Sequence, residues 1–213
     1  QIAYLAGFTG RDPHTANELY RGIEVFFAEH PDAKSRFSVE KIDTASTISG
    51  ALQAVNRAKE IGSQLLIGLH NSDEAIVAAK LVEHTSQLLF APFASHPKVT
   101  LGMSHTFRFC FNDHQQGELL AQFAVQKLKT KKVAVLSNSD SIYSVFLSQV
   151  ISEQLKKSPK LLVVSDLMYS NSDLKQAEFD SVLKKLDPDL IVIPDYITRA
   201  SMQMKYWHKE LPK

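Results

Sequence analysis

Leu65-Leu66-Ile67-Gly68-Leu69-His70-Asn71-Ser72-Asp73 and Leu88-Leu89-Phe90-Ala91-Pro92-Phe93-Ala94-Ser95-His96-Pro97 decide how this chain is read. Each opens as a short apolar run with little alternation, the pattern of a parallel strand buried on both faces by helices. Each then reaches a serine in front of a helix-friendly stretch. In a parallel α/β sheet, small ligands bind beyond the carboxyl ends of the strands. A helix N-terminus at that place offers free N–H groups and partial positive charge, which suit a carboxylate or a phosphate. Ser72, Ser95 and a helix start therefore point to the binding of an anionic head group rather than to a nucleophile with a base.

The same alternation of apolar runs and amphipathic segments continues in both directions. Strands are expected at Ile2–Gly7, Ser38–Asp43, Gln64–Leu69, Leu88–Pro92, Thr106–Phe109, Lys132–Ser137, Leu161–Asp166 and Asp189–Pro194. Helices are expected at Ala16–His30, Ser46–Ile61, Asp73–Thr85, Asp113–Lys129, Ile142–Lys157, Leu174–Lys185 and Ile197–Lys209. The helical readings rest on spacings of three and four, as in Leu52, Val55 and Ala58, or Leu119 and Phe123. Ser46, Ser72 and Asp173 are read as helix caps. The βαβα order implies a doubly wound α/β architecture. A break near Phe109–Asn112, after which the pattern restarts, divides the chain into lobes at 1–112 and 113–213 with a hinge between them.

The 213 residues are enough for one large domain or two small ones. A hydrophobic fraction of 44% permits a true core. A net charge of +1, with both signs interspersed, excludes a global field for nucleic acid or membrane. No basic patch interleaved with aromatics is present. No run of about 18 apolar residues suggests a membrane span. Cys110 is the only cysteine, so no internal disulfide forms and the redox compartment is not readable from it. His96, His105 and His114 are evenly spaced but fall on three different elements, and zinc spacings are absent, so no metal is expected. Ser95-His96-Pro97-Lys98 and Ser172-Asp173-Leu174-Lys175 match S-x-x-K by chance, without a K-T-G companion. There is no nucleophile elbow, dinucleotide fingerprint or phosphate-loop lysine motif. No cofactor is expected.

A resemblance sharpens this reading. Gly7-Phe8-Thr9-Gly10, then Gly22-Ile23-Glu24, Asp43, the helix Ser49–Ala58, Gly68 to Ser72, Ala91-Pro92-Phe93-Ala94-Ser95, and Phe107-Arg108 followed by Asp113 and Gly117 occur in family order. Together they resemble the type I periplasmic binding proteins, in the leucine/isoleucine/valine-binding branch of ABC-transporter solute receptors. The resemblance implies two Rossmann-like doubly wound parallel-sheet lobes, the second incomplete. It implies that Ser72 and Ser95 hold a ligand carboxylate with help from the backbone near Phe93. It also implies that Tyr143 and Tyr196 close over the ligand from the second lobe, by closure about a hinge. Three departures bear on the ligand: Thr15 stands for a first-loop aromatic, Phe93 for a small residue, and Ser144 for a glycine. The family's ammonium-binding acidic residue lies past Glu210-Leu211-Pro212-Lys213, so a fragment or a truncated relative is expected. In the latter case a partner or a second copy should cover the missing sheet edge.

Each site residue has a plainer role beside the functional one. Ser72 serves equally as a cap for the next helix, and Ser95 as a turn residue before His96-Pro97. Asn71 suits ligand orientation or an Asx-turn. Tyr143 and Tyr196 are core or rim aromatics in the plain reading. Asp195 is read first as a turn or cap carboxylate, and second as a partner for an ammonium. The function expected is extracytoplasmic capture of a small amino-acid-like ligand and delivery to an ABC-transporter permease, without enzymatic activity, in the periplasm. The alternatives are a sensory ligand-binding domain of a signalling receptor, and an enzyme of flavodoxin-like architecture.

Overall fold

The computed structural model describes residues 1–11, 13–170, 172 and 176–210. Contacts divide the chain into two compact units, Gln1–Phe111 and Asn112–Lys213.

Unit 1 runs β1 (Ile2–Ala6), α1 (Pro13–Glu29), α2 (Pro31–Arg36), β2 (Val39–Asp43), α3 (Ile48–Glu60), β3 (Leu65–Gly68), α4 (Ser72–Val82), β4 (Leu88–Ala91), a 3-10 turn (Pro97–Val99) and β5 (Thr106–Arg108). Its five strands are all parallel, in the order β2-β1-β3-β4-β5. Side chains leave a strand alternately to its two faces, and both faces are covered. Ala3, Leu5, Leu66 and Leu89 pack with α3 and α4, chiefly against their alanines. Tyr4, Ala6 and Ile67 meet Ala16, Leu19 and Tyr20 of α1. The crossover from β1 goes one way to β2, and the next returns past β1 to β3. The loops after β1 and β3 therefore diverge, and the gap between them is the switch point where doubly wound sheets take ligands.

Several boundaries differ from expectation for local reasons. Helix α1 begins at Pro13, because a ring-fixed φ suits a first helical turn that needs no N–H. The short helix α2 also opens on a proline, and its six residues carry no apolar periodicity to announce it. Ser46 does not cap α3. It sits at φ 54°, and Thr47 takes the cap, its hydroxyl accepting from Gly50 N–H at 2.9 Å. Helix α4 begins at Ser72 itself, with Asn71 in the cap position, so Ser72 is not the cap either.

Unit 2 runs α5 (Asp113–Gln126), β6 (Lys132–Asn138), α6 (Ile142–Lys156), β7 (Val163–Tyr169), α7 (Gln176–Leu186), β8 (Leu190–Val192) and α8 (Ile197–Glu210). Among the described residues its sheet has three parallel strands in the order β7-β6-β8. Val133 and Val135 pack with Ala121 and Ala124 of α5 and Leu147, Ile151 and Leu155 of α6. Ala134 and Leu136 turn to the other face, with Tyr169 and Leu183. Asn112 caps α5 in a reciprocal capping box with Gln115. Strand β7 starts later than expected, because Leu162 lies 71% exposed before the strand rather than in it. The expected cap Asp173 and helix start Leu174 lie outside the described residues. Here the switch point falls between β6 and β8. No helix among the described residues is long and apolar enough to cross a membrane.

Candidate functional site

In unit 1 the site is built from the bend that ends β3. Gly68 has φ +132° and Leu69 φ +58°, and the Leu69 N–H donates to the Leu5 carbonyl at 2.8 Å. A Cβ on Gly68 would lie 2.0 Å from that carbonyl oxygen, so only glycine lets β3 close on β1 here. The bend delivers Asn71 and Ser72 to the start of α4. Asn71 is buried, and its side-chain amide donates to Glu74 Oε1 at 2.6 Å instead of capping the helix. Thr44, from the loop after β2, donates its hydroxyl to the other oxygen of Glu74. Glu74 is 3% exposed. Burial pushes its pKa up, against the hydrogen bonds from Asn71 and Thr44 and the charge of Arg11.

The loop after β4 is fastened from two sides. The His96 N–H donates to Ser72 Oγ at 3.3 Å. From β5, Arg108 Nη1 donates to the carbonyls of Ser95 at 3.4 Å and His96 at 3.1 Å. His96 Nδ1 accepts from the Lys98 N–H and so caps the 3-10 turn. Burial first, then the charges of Lys98 and Arg108, lower the His96 pKa to about 4, so the ring is neutral at neutral pH. Ser95 is half-buried, and its hydroxyl has no hydrogen-bond partner among the described residues. Phe93 is 54% exposed. At the end of β2, Asp43 receives the Thr9 hydroxyl and N–H and the Ala45 N–H, tying the loop after β1 to the loop after β2. Against the upward push of burial, these bonds hold its carboxyl below the usual range.

Unit 2 places its candidates at its own switch point. Tyr143, on the first turn of α6, and Tyr196, just before α8, face each other with ring centroids 5.3 Å apart at 31°. Burial, with the nearby charges of Asp113 and Asp195, raises the Tyr143 pKa to about 12, so its hydroxyl stays protonated. Asp195 gathers three bonds: Tyr169 hydroxyl at 2.6 Å and Asn138 Nδ2 at 2.9 Å on Oδ2, and the Tyr196 N–H at 2.8 Å on Oδ1. Burial and Asp195 both push the Tyr169 hydroxyl up. Asp195 thus ties the ends of β6 and β7 to the residue before α8, a role that neither expected reading named. Ser144, the departure from a glycine, is fully buried, and its hydroxyl accepts from the Asn138 N–H at 2.8 Å.

Asn71 and Ser72, at the start of α4, are therefore joined through His96 to the loop that carries Phe93 and Ser95, and Tyr143 and Tyr196 pair within unit 2. Sequence reading missed Glu74, Thr44 and Arg108 as the side chains that hold those loops. The Asn71-to-Glu74 interval has capping-box spacing and was a usable signal. Nothing local announces the Thr44–Glu74 or Arg108–Ser95 bonds, which span 30 and 13 residues. Chemically, the arrangement in unit 1 offers hydroxyl and backbone donors at a helix start. Ser72 Oγ is engaged by a backbone N–H, not by a base. Among the described residues no group of three or more His, Cys, Asp or Glu could hold a metal ion.

The family model described as "Periplasmic binding protein" matches residues 1–187. The chain is 26% identical over 205 residues to Leu/Ile/Val-binding protein homolog 1 of Brucella abortus, covering 93% of this chain and 51% of that protein. It is 28% identical over 185 residues to an amino acid binding protein of Pseudomonas aeruginosa, covering 84% and 48%. The chain thus spans about half the length of the curated relatives it matches. Among solved structures, the branched-chain amino acid transporter substrate binding protein LivJ of Streptococcus pneumoniae, in complex with isoleucine, gives a TM-score of 0.86 at 21% identity, over 100% of this chain and 62% of that one. The leucine binding protein LivK of Thermotoga maritima gives 0.81 at 25%, over 89% and 54%. A solute binding protein of Rhodopseudomonas palustris, in complex with 3,4-dihydroxybenzoic acid, gives 0.80 at 18%, over 98% and 57%. The parallel sheets, their order and these matches agree: the chain belongs to the periplasmic binding protein family, in the type I branch that holds the leucine/isoleucine/valine-binding proteins.

Proposed function

We propose that this chain is part of an extracytoplasmic solute-binding protein that captures a small amino-acid-like carboxylate for uptake through an ABC-transporter permease. The observation that carries the reading is the half-buried Ser95 hydroxyl, without a hydrogen-bond partner among the described residues, on a loop fastened to Ser72 beside a helix start whose cap residue Asn71 makes no cap bond. A carboxylate there would receive a hydroxyl and helix N–H donors together. The named relatives are amino acid or Leu/Ile/Val-binding proteins, which supports a binding role over an enzymatic one. In unit 2 the proposed solute contacts are Tyr143 and Tyr196. Asn71, held by Glu74, acts through loop placement, and Phe93 is the proposed contact for the solute's side chain.

Phe93 also favours a second reading, an aromatic carboxylate. An exposed phenyl ring at the end of β4 offers a stacking surface, and one solved relative holds 3,4-dihydroxybenzoic acid. Thermal melts with the amino acids, benzoate and 4-hydroxybenzoate separate the two readings. A ligand at a hundred times its Kd adds about 2.7 kcal/mol of stability. Ser95→Ala is expected to weaken the ligand so found about tenfold, the loss of one hydrogen bond to a charged group. Retention of full affinity by the Ser72→Ala, Ser95→Ala double variant would place the carboxylate elsewhere.

A further inference from the structure

We infer that Glu74 is a positioning residue for the proposed carboxylate site, holding Thr44 and Asn71 together so that the start of α4, and with it Ser72, is fixed against the loop after β4. The inference rests on the proposed function for its purpose, but its geometry stands alone. Thr44 lies in the loop after β2, Asn71 in the loop after β3, and Glu74 in the first turn of α4. Each oxygen of the buried Glu74 carboxylate takes one of the two side chains. The loops after β2 and β3 are thereby joined at a residue two positions along α4 from Ser72.

The bond to Asn71 has a second consequence. An asparagine at a helix cap ordinarily accepts from the first turn of its own helix. Here its amide is turned to Glu74 and makes no cap bond, so the first-turn donors of α4 are not consumed by it. Sequestering a carboxylate from water is costly unless its oxygens are hydrogen-bonded, and an apolar side chain would fill this position without that cost. The charge does not explain the choice either. A negative charge in the first turn of α4 opposes a bound anion at the same helix end; Asp73 adds to it and Arg11 offsets it. What remains is geometry: two acceptor atoms at the right separation to join two loops.

Glutamine supplies the same geometry without the charge. Its carbonyl accepts from Asn71, and its amide donates to a Thr44 hydroxyl rotated to accept. Leucine supplies the volume without the bonds. The test compares Glu74→Gln, Glu74→Leu and Thr44→Val by amide hydrogen exchange. The readout is the His96 N–H, which donates to Ser72 Oγ, with the Leu69 N–H, which donates to Leu5, as the internal control. Relative to that control, Glu74→Leu should speed His96 exchange about tenfold and Glu74→Gln by less than about twofold, with Thr44→Val between them. If Glu74→Leu does not fold, Thr44→Val against Glu74→Gln gives the same contrast. Unchanged His96 exchange in the leucine and valine variants would overturn the inference, as would equal acceleration in the glutamine variant. Titration of the wild-type chain with L-leucine and 4-hydroxybenzoate reads the proposed function separately. Absence of binding there counts against the solute reading and leaves the exchange result to decide the role of Glu74.

Discussion

The two units place their candidate residues at the same topological feature and secure them differently. In unit 1 the loops beyond β1, β2, β3 and β4 are tied to one another by separate polar links: Thr9–Asp43, Thr44–Glu74–Asn71, Ser72–His96, and Arg108 to the Ser95–His96 backbone. In unit 2 one carboxylate, Asp195, collects bonds from the ends of β6 and β7 and from Tyr196 beside the ring of Tyr143. Distributed links leave individual polar groups open, as at Ser95. A single hub gathers its donors on one carboxylate and presents rings beside it.

The contrast predicts different sensitivities. The largest effect is expected in unit 1 at a backbone position. Gly68→Ala forces a Cβ onto the Leu5 carbonyl at a left-handed φ and should cost about 3 kcal/mol or more, measured by denaturant unfolding. Next is the hub of unit 2. Tyr169→Phe removes a hydroxyl from Asp195 and should cost about 1.5–3 kcal/mol. Exchange of β1 amides should stay unchanged, since the loss lies in unit 2; acceleration in both units alike would break the distinction.

A smaller effect is set by pH. In the folded chain the His96 pKa is lowered to about 4 from the 6.5 of the unfolded state. Above pH 6.5 the ring is neutral in both states and its contribution is complete. As pH falls from 6.5 toward 4 the unfolded state takes up the proton first, so stability declines across that window and levels below it. His96→Asn keeps an acceptor for the Lys98 N–H and should flatten the decline relative to wild type. The smallest effect is expected at the exposed Arg57–Glu60 pair, where Arg57→Ala should change stability by no more than about 0.5 kcal/mol.

Much of this architecture was legible in the chain itself, and the reason is the uniform burial of its central strands. Val133 to Leu136 and Leu65 to Ile67 carry apolar side chains to two covered faces, a signal that needs no tertiary knowledge. Helix starts were less legible wherever backbone conformation chose between adjacent candidates, as with Thr47 over Ser46. The gathering of Ser72 and Ser95 followed from strand ends and topology alone. The side chains that hold them did not, because Thr44 reaches Glu74 past the intervening β1, and Arg108 reaches Ser95 from the neighbouring β5, over 30 and 13 residues of sequence. Likewise the role of Ser144 depends on its contact with the end of β6, not on the helix turn that carries it.

The central claim is that a solute carboxylate binds at the start of α4 beside Ser95. A titration of the isotopically labelled chain with L-leucine, L-isoleucine and 4-hydroxybenzoate, followed amide by amide by NMR, tests it most directly. Saturable shifts concentrated at Asn71, Ser72, Ser95 and His96, lost or moved to about tenfold higher concentration in Ser95→Ala, are the expected result. Saturable binding that leaves those four amides unmoved, or that Ser95→Ala does not weaken, would contradict it.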